Sequence, residues 1–172
     1  MRSKCTMGLL LGLLLGSPPV HGQTSTTGDF VSDSRSGCKV WDPHPQAGET
    51  VTWSGGCING FAQGDGTVIW SRYGNPFEKD EGHWDQGRQS GRGTQDWRSG
   101  RYEGELLEGE PSGHGIMMLQ TSGYEGEFHK GKPNGDGTAT NIQGVFKGTW
   151  KDGCLARGKD TITFAVSPVS CH

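Results

Sequence analysis

A chain of 172 residues with a formal net charge of −3 is sized for one domain, and its 31 glycines far exceed the ~7% of an average protein. Glycine does not recur at every third position, which excludes collagen, and six tryptophans argue against a disordered chain. A repeat protein with a sparse aromatic core fits, and its acidity makes it no obvious binder of nucleic acid or anionic membranes.

The N-terminus, MRSKCTMGLLLGLLLGSPPVHGQT, reads as a secretory signal peptide over residues 1–22. Arg2 and Lys4 supply the positive start, Gly8 to Gly16 is apolar but too short to span a bilayer, and Val20 and Gly22 stand at −3 and −1 of the expected cleavage before Gln23. The mature chain is therefore expected to be exported, periplasmic or secreted. It keeps 14 basic against 19 acidic residues. Residues 23–37, rich in Ser, Thr and Gly, read as a flexible leader. Four mature cysteines remain, Cys38, Cys57, Cys154 and Cys171, and an even number in an exported chain favours disulfides. Three connectivities exist. The spacing favours Cys38–Cys57 and Cys154–Cys171, each closing a loop worth roughly 3 kcal/mol. Zinc would want paired C-x-x-C spacing, which is missing.

From residue 53 onward the chain repeats itself. YEGELLEGEPSGHG (102–115) aligns with YEGEFHKGKPNGDG (124–137) at a period of 22. One period back, 80–93 fits with Asp80 in the aromatic slot; 53–66 fits again, and 146–153 is a truncated copy. The units lie near 53–70, 80–97, 102–119, 124–141 and 146–153. Tyr102, Gly104 and Leu106 alternate with Glu103 and Glu105, the pattern of a strand with one apolar face. A second strand is expected from near Gly115, after a turn over Gly109–Gly113, so each unit is a β-hairpin. The recurring in-strand glycines (Gly55, Gly82, Gly104, Gly126, Gly148) imply that something packs over them. A lone hairpin cannot bury its face, so units must stack.

This pattern resembles the MORN repeat (membrane occupation and recognition nexus) over roughly residues 51–153. The opening stretch, CKVWDP from Cys38 and WSGGC from Trp53, resembles the start of exported bacterial MORN-type proteins. The resemblance implies an all-β fold, an elongated antiparallel sheet of stacked hairpins, without a catalytic centre of its own. Residues 38–50, with Cys38–Cys57, would close the front and a C-terminal cap, 154–172, the back. Within the cap, residues 161–166 alternate like a strand. Where Asp80 replaces the aromatic, looser packing is expected, compensated by Trp70, Tyr73 or Phe77.

Little in the chain points to chemistry. GEFHKGKP (126–133) matches the start of a P-loop, but Gly126 and Gly131 are repeat glycines, Lys132 aligns with Glu110, and Pro133 stands where a magnesium-binding hydroxyl is needed. No nucleotide, nucleic acid or cofactor is expected. His44, His83, His114, His129 and His172 are scattered, as surface or turn residues are. Glu103, Glu105, Glu125 and Glu127 read as solvated rows, with calcium binding or glycan-processing catalysis as the weaker alternatives. Trp53, Trp84, Tyr102, Tyr124, Phe128, Phe146 and Trp150 fill repeated slots, either as core or as an aromatic strip that takes a partner. The expected function is a non-enzymatic interaction module with a protein or surface partner; membrane lipid head groups are the alternative.

Overall fold

The computed structural model describes residues 28–171. The expected signal segment, residues 23–27 of the expected leader, and His172 lie outside the described residues. The front comprises β1 (Asp29–Ser32), β2 (Lys39–Asp42), β3 (Glu49–Trp53), β4 (Gly56–Ile58) and β5 (Phe61–Arg72). The array continues through β6 (Asn75–Asp85), β7 (Arg88–Trp97), β8 (Gly100–Leu107), β9 (Glu110–Leu119), β10 (Ser122–His129), β11 (Lys132–Asn141) and β12 (Gly144–Trp150). Strands β5 to β12 pair antiparallel in sequence order, and with the front strands they make one 12-stranded sheet. A separate hairpin, β13 (Cys154–Arg157) and β14 (Asp160–Thr163), follows. The described residues contain no α-helix. Both disulfides, Cys38–Cys57 and Cys154–Cys171, are formed.

Local chemistry explains the hairpins. In β8 and β10 every second residue is buried, Tyr102, Gly104 and Leu106 then Tyr124, Gly126 and Phe128, while the glutamates between them face outward. The turn is tighter than Gly109–Gly113. It is the two-residue Glu108–Gly109, with φ of 54° and 84°, the paired positive angles that match strand twist in a short hairpin. Strand β9 resumes at once, and residues 112–114 bulge opposite the single residue Glu105. His114 is thus a strand residue, not a turn residue. The Tyr102 hydroxyl donates to the Glu105 carbonyl at 2.7 Å and Tyr124 to Glu127 at 3.2 Å. Each tyrosine therefore serves a carbonyl that the bulge takes out of the ladder, which phenylalanine cannot do.

One row of glycines crosses the sheet. Gly66, Gly82, Gly93, Gly104, Gly115, Gly126, Gly137 and Gly148 are successive cross-strand partners, one per strand from β5 to β12. The row forms a trough, and side chains lie in it: Trp53 over Gly66, Tyr102 over Gly104 and Gly115, Tyr124 over Gly126 and Gly137, and Leu155 over Gly148. The hairpin tips also chain the units together. The Gly109, Gly131 and Gly153 amides donate to the carbonyls of Gln89, Pro111 and Pro133 in the preceding unit, at 2.8–3.0 Å.

The ends differ in part from expectation. Residues 29–32 of the expected leader form β1, paired in register with β2. Phe30 packs edge-on against Trp41 and Phe61, each with centroids 5.1 Å apart, and this apolar contact outweighs the polar composition around it. At the back, the strand ends at Thr163, and Phe164 is buried against Tyr124.

Candidate functional site

The seven repeat aromatics are all buried, none more than 9% exposed. Trp53 and Trp84 belong to the front core; Tyr102, Tyr124, Phe128, Phe146 and Trp150 belong to the rear core. The sheet therefore offers no open aromatic strip made of these residues. Glu103, Glu105, Glu125 and Glu127 are exposed, as are His44, His83, His114 and His129. Among the described residues, no group of three or more His, Cys, Asp or Glu is placed to hold a metal ion. Nor is any helix among them long and apolar enough to cross a membrane.

The departure lies in the second unit. Residues one period apart occupy the same structural slot, and at residues 78–95 those slots turn polar. Asp80 stands where Tyr102, Tyr124 and Phe146 pack; Gln89 where Pro111 and Pro133 do; Gln95 where Met117 and Ala139 do; Glu78 where Gly100 and Ser122 do. Asp80, Gln89 and Gln95 are nevertheless buried. In place of a ring, the Gln89 amide sits beside Gly82 and Gly93 and donates to the Glu81 carbonyl at 3.2 Å. Gln95 donates to Gln89 at 3.2 Å and to the Gly109 carbonyl at 3.0 Å.

The missing ring leaves a cavity of about 270 Å³. Its floor is the inner face of β5–β7, with Trp70, Arg72, Phe77 and Trp84. Its roof is the front cap, with Trp41, Asp42, His44 and Glu49. Backbone bonds hold this roof in place: the Trp41 amide donates to the Gly87 carbonyl at 2.7 Å and Lys39 to Gly60 at 2.9 Å. The Cys38–Cys57 disulfide ties the base of the roof to β4. Of the expected compensating side chains, Trp70 is buried and Phe77 lines the cavity, whereas Tyr73 is 76% exposed.

Four carboxyl groups, Asp42, Glu49, Glu78 and Asp80, line this space. Arg72 donates to Glu49 at 2.6 Å and stacks over Phe77 with 5.0 Å to the ring centroid. The Trp70 indole N–H donates to Asp80 Oδ2 at 2.7 Å, while Asp80 Oδ1 and Arg72 Nε are buried without a partner. Burial pushes the Asp80 carboxyl well above the ordinary range, and the Glu78 charge pushes it further. Burial likewise raises Glu78, and it raises Asp42 to about 6, with Glu49 adding to the latter. Burial also acts upward on Glu49, but the hydrogen bond from Arg72 and its other partners hold Glu49 below its usual value.

These shifts set a pH dependence. A carboxyl whose folded pKa is raised binds its proton more tightly in the folded chain, so it adds stability as pH falls through that value towards the unfolded one. Asp42 does so between about 6 and 3.8, and Glu78 and Asp80 act in the same direction. Glu49 opposes them, its contribution being lost as pH falls through its depressed value. Melting followed by circular dichroism should therefore give a higher Tm at about pH 5.5 than at about pH 8, by about 2–4 °C per kcal/mol gained. Asp80→Asn should narrow that gap by raising the Tm at about pH 8. An unchanged or reversed gap in the wild-type chain would contradict this account of the cluster.

The fold and site define a hairpin-repeat protein with a ligand-sized cavity at one unit. Residues 81–100, 102–121 and 124–141 match the family model of the MORN repeat. Three consecutive hairpin units of the chain are thus similar to the MORN repeat. No curated protein matches the chain at a significant level. The polar side chains in core slots of the second unit are the part that sequence reasoning missed, apart from Asp80.

Proposed function

We propose that this chain is an exported, non-enzymatic binding module that takes its ligand in the cavity between the front cap and the second unit. The ligand is a small molecule or a side chain presented by a protein or surface partner. The observation that carries this reading is a cavity with two buried polar atoms left unpartnered, Asp80 Oδ1 and Arg72 Nε. Such groups are costly unless something pairs with them. Two disulfides and the signal-like N-terminus support export. The acidic mature chain weighs against anionic lipid head groups as the ligand.

The test is thermal-shift screening of the disulfide-bonded chain against a panel of cationic, anionic, neutral-polar and apolar small molecules. At least one chemical class should raise the Tm by several degrees through mass action, and Trp70→Ala should abolish the rise. A panel in which no class raises the Tm overturns the reading.

A further inference from the structure

Resting on that reading, we infer that the cavity takes a small organic ammonium group, with its charge between Glu78 and Asp80 and its carbon body against Trp70 and Trp84. The argument begins with charge. Among the residues lining the cavity, Arg72 is the one Lys or Arg, against the four carboxyl groups Asp42, Glu49, Glu78 and Asp80. Its guanidinium is already engaged, 2.6 Å from Glu49 and stacked on Phe77. Asp42, Glu78 and Asp80 have no Lys or Arg among the residues lining the cavity to pair with beyond Arg72.

Asp80 supplies the second, independent observation. The residue is 5% exposed and lines the cavity; Trp70 occupies Oδ2, and Oδ1 receives no N–H donor, the carboxyl's other neighbour being the Glu78 carboxyl. An N–H donor from a ligand fits this oxygen. A neutral sugar could donate to it but would bring no positive charge to carboxyl groups that a cation would help to ionise. A metal ion would need convergent ligands, and no such group exists among the described residues. Indole rings on the same walls suit an ammonium, which is attracted to an aromatic face and to a carboxylate alike. Arg72 shows the same pairing of aromatic ring and carboxylate within this cavity, between Phe77 and Glu49. The volume of about 270 Å³ lies near the lower bound of small-ligand pockets, which suits an alkylamine rather than a folded peptide.

Proton release follows. The groups facing the ammonium site are Asp42 from β2, Glu49 from β3, Arg72 from β5, Glu78 and Asp80 from β6, and His44 in the roof; Asp96 of β7, paired with Arg101, acts on Asp80 through its charge without lining the cavity. Without ligand, burial and like-charge repulsion favour protonated Asp80. A bound cation favours the ionised form, so the proton leaves to solvent as the ammonium binds.

The test is isothermal titration of the disulfide-bonded chain with n-butylammonium, using n-butanol and glucose as uncharged comparators. The ammonium should bind at least about tenfold more tightly than either comparator (about 1.4 kcal/mol). Its binding heat should vary with buffer ionisation enthalpy in the sense of proton release. Asp80→Asn keeps an oxygen for the Trp70 indole, and Glu78→Gln is near-isosteric. Each should weaken ammonium binding about tenfold without lowering the Tm, while Glu103→Gln on the outer face should leave it unchanged. Butanol or glucose binding as well as the ammonium, or both cavity variants retaining wild-type affinity, would overturn the inference. Glucose binding without ammonium binding would overturn it and leave the ligand-cavity reading standing. If no member of the wider panel shifts the Tm either, both fail.

Discussion

Tyr124→Ala should destabilise the chain by about 3–5 kcal/mol, read from urea unfolding with both disulfides intact. Tyr124 is 1% exposed and sits at the centre of the rear core. Its ring meets Phe128 and Trp150 edge-on, at centroid distances of 5.0 and 5.4 Å, and it also packs against Phe164 of the back cap. Removing it opens a void under three aromatic neighbours that the sheet, fixed by its ladder on both sides, cannot close. Its hydroxyl also serves the Glu127 carbonyl, and burial pushes that hydroxyl's pKa up to about 12. Tyr124→Phe isolates this hydrogen bond and should cost only about 1 kcal/mol. Tyr73→Ala is the control: that ring is 76% exposed, and its loss should fall within about 0.5 kcal/mol. A Tyr124→Ala cost no larger than the control's would mean that the units are not held together by this trough.

The same trough explains how much the sequence disclosed. The period of 22 placed Tyr102, Tyr124, Phe128 and Trp150 in recurring slots, and the in-strand glycines implied that something packs over them; in the rear core that is Tyr102, Tyr124 and, over Gly148, Leu155. Both readings worked because a repeated hairpin makes each position's environment visible several times over. The cavity was less legible, for two physical reasons. Asp80 was visible as a break in pattern, but Gln89, Gln95 and Glu78 signal only when each is compared with its counterpart one period on. The roof residues, Asp42 and Glu49, come from the non-repeated cap, and no period brings them over the second unit. The bonds of Lys39 to Gly60 and Trp41 to Gly87 place Asp42, and the pairing of β3 with β5 places Glu49 beside Arg72. Strand β1 escaped because it is four residues long and rests on a tertiary contact, Phe30 against Trp41 and Phe61, rather than on composition.

The glycine row yields the second large effect. Gly137→Ala should cost about 1–3 kcal/mol, the range for forcing volume into packed core, even though the position is an ordinary strand residue. A Cβ there would overlap the hydroxyl and ring of Tyr124. The neighbouring backbone partners, Gly126 and Gly148, are fixed by the ladder, so the ring has to yield. Gly131 makes the contrast. It sits in a hairpin turn at φ 74° with open space where a Cβ would point, so Gly131→Ala should cost only about 1 kcal/mol, all of it backbone conformation. The decisive measurement is a double-mutant cycle. Once Tyr124→Ala has removed the ring, Gly137→Ala should become nearly neutral, giving a coupling energy of about 1 kcal/mol or more. Gly131→Ala should show no coupling to Tyr124→Ala. Additive costs at residues 124 and 137 would mean that the glycine is needed by the strand itself and not by the ring above it. Coupling would show that the repeat's glycine spacing is the imprint of the side chains seated over it, a place that Gln89 takes over Gly82 and Gly93 in the unit where Asp80 replaces the ring.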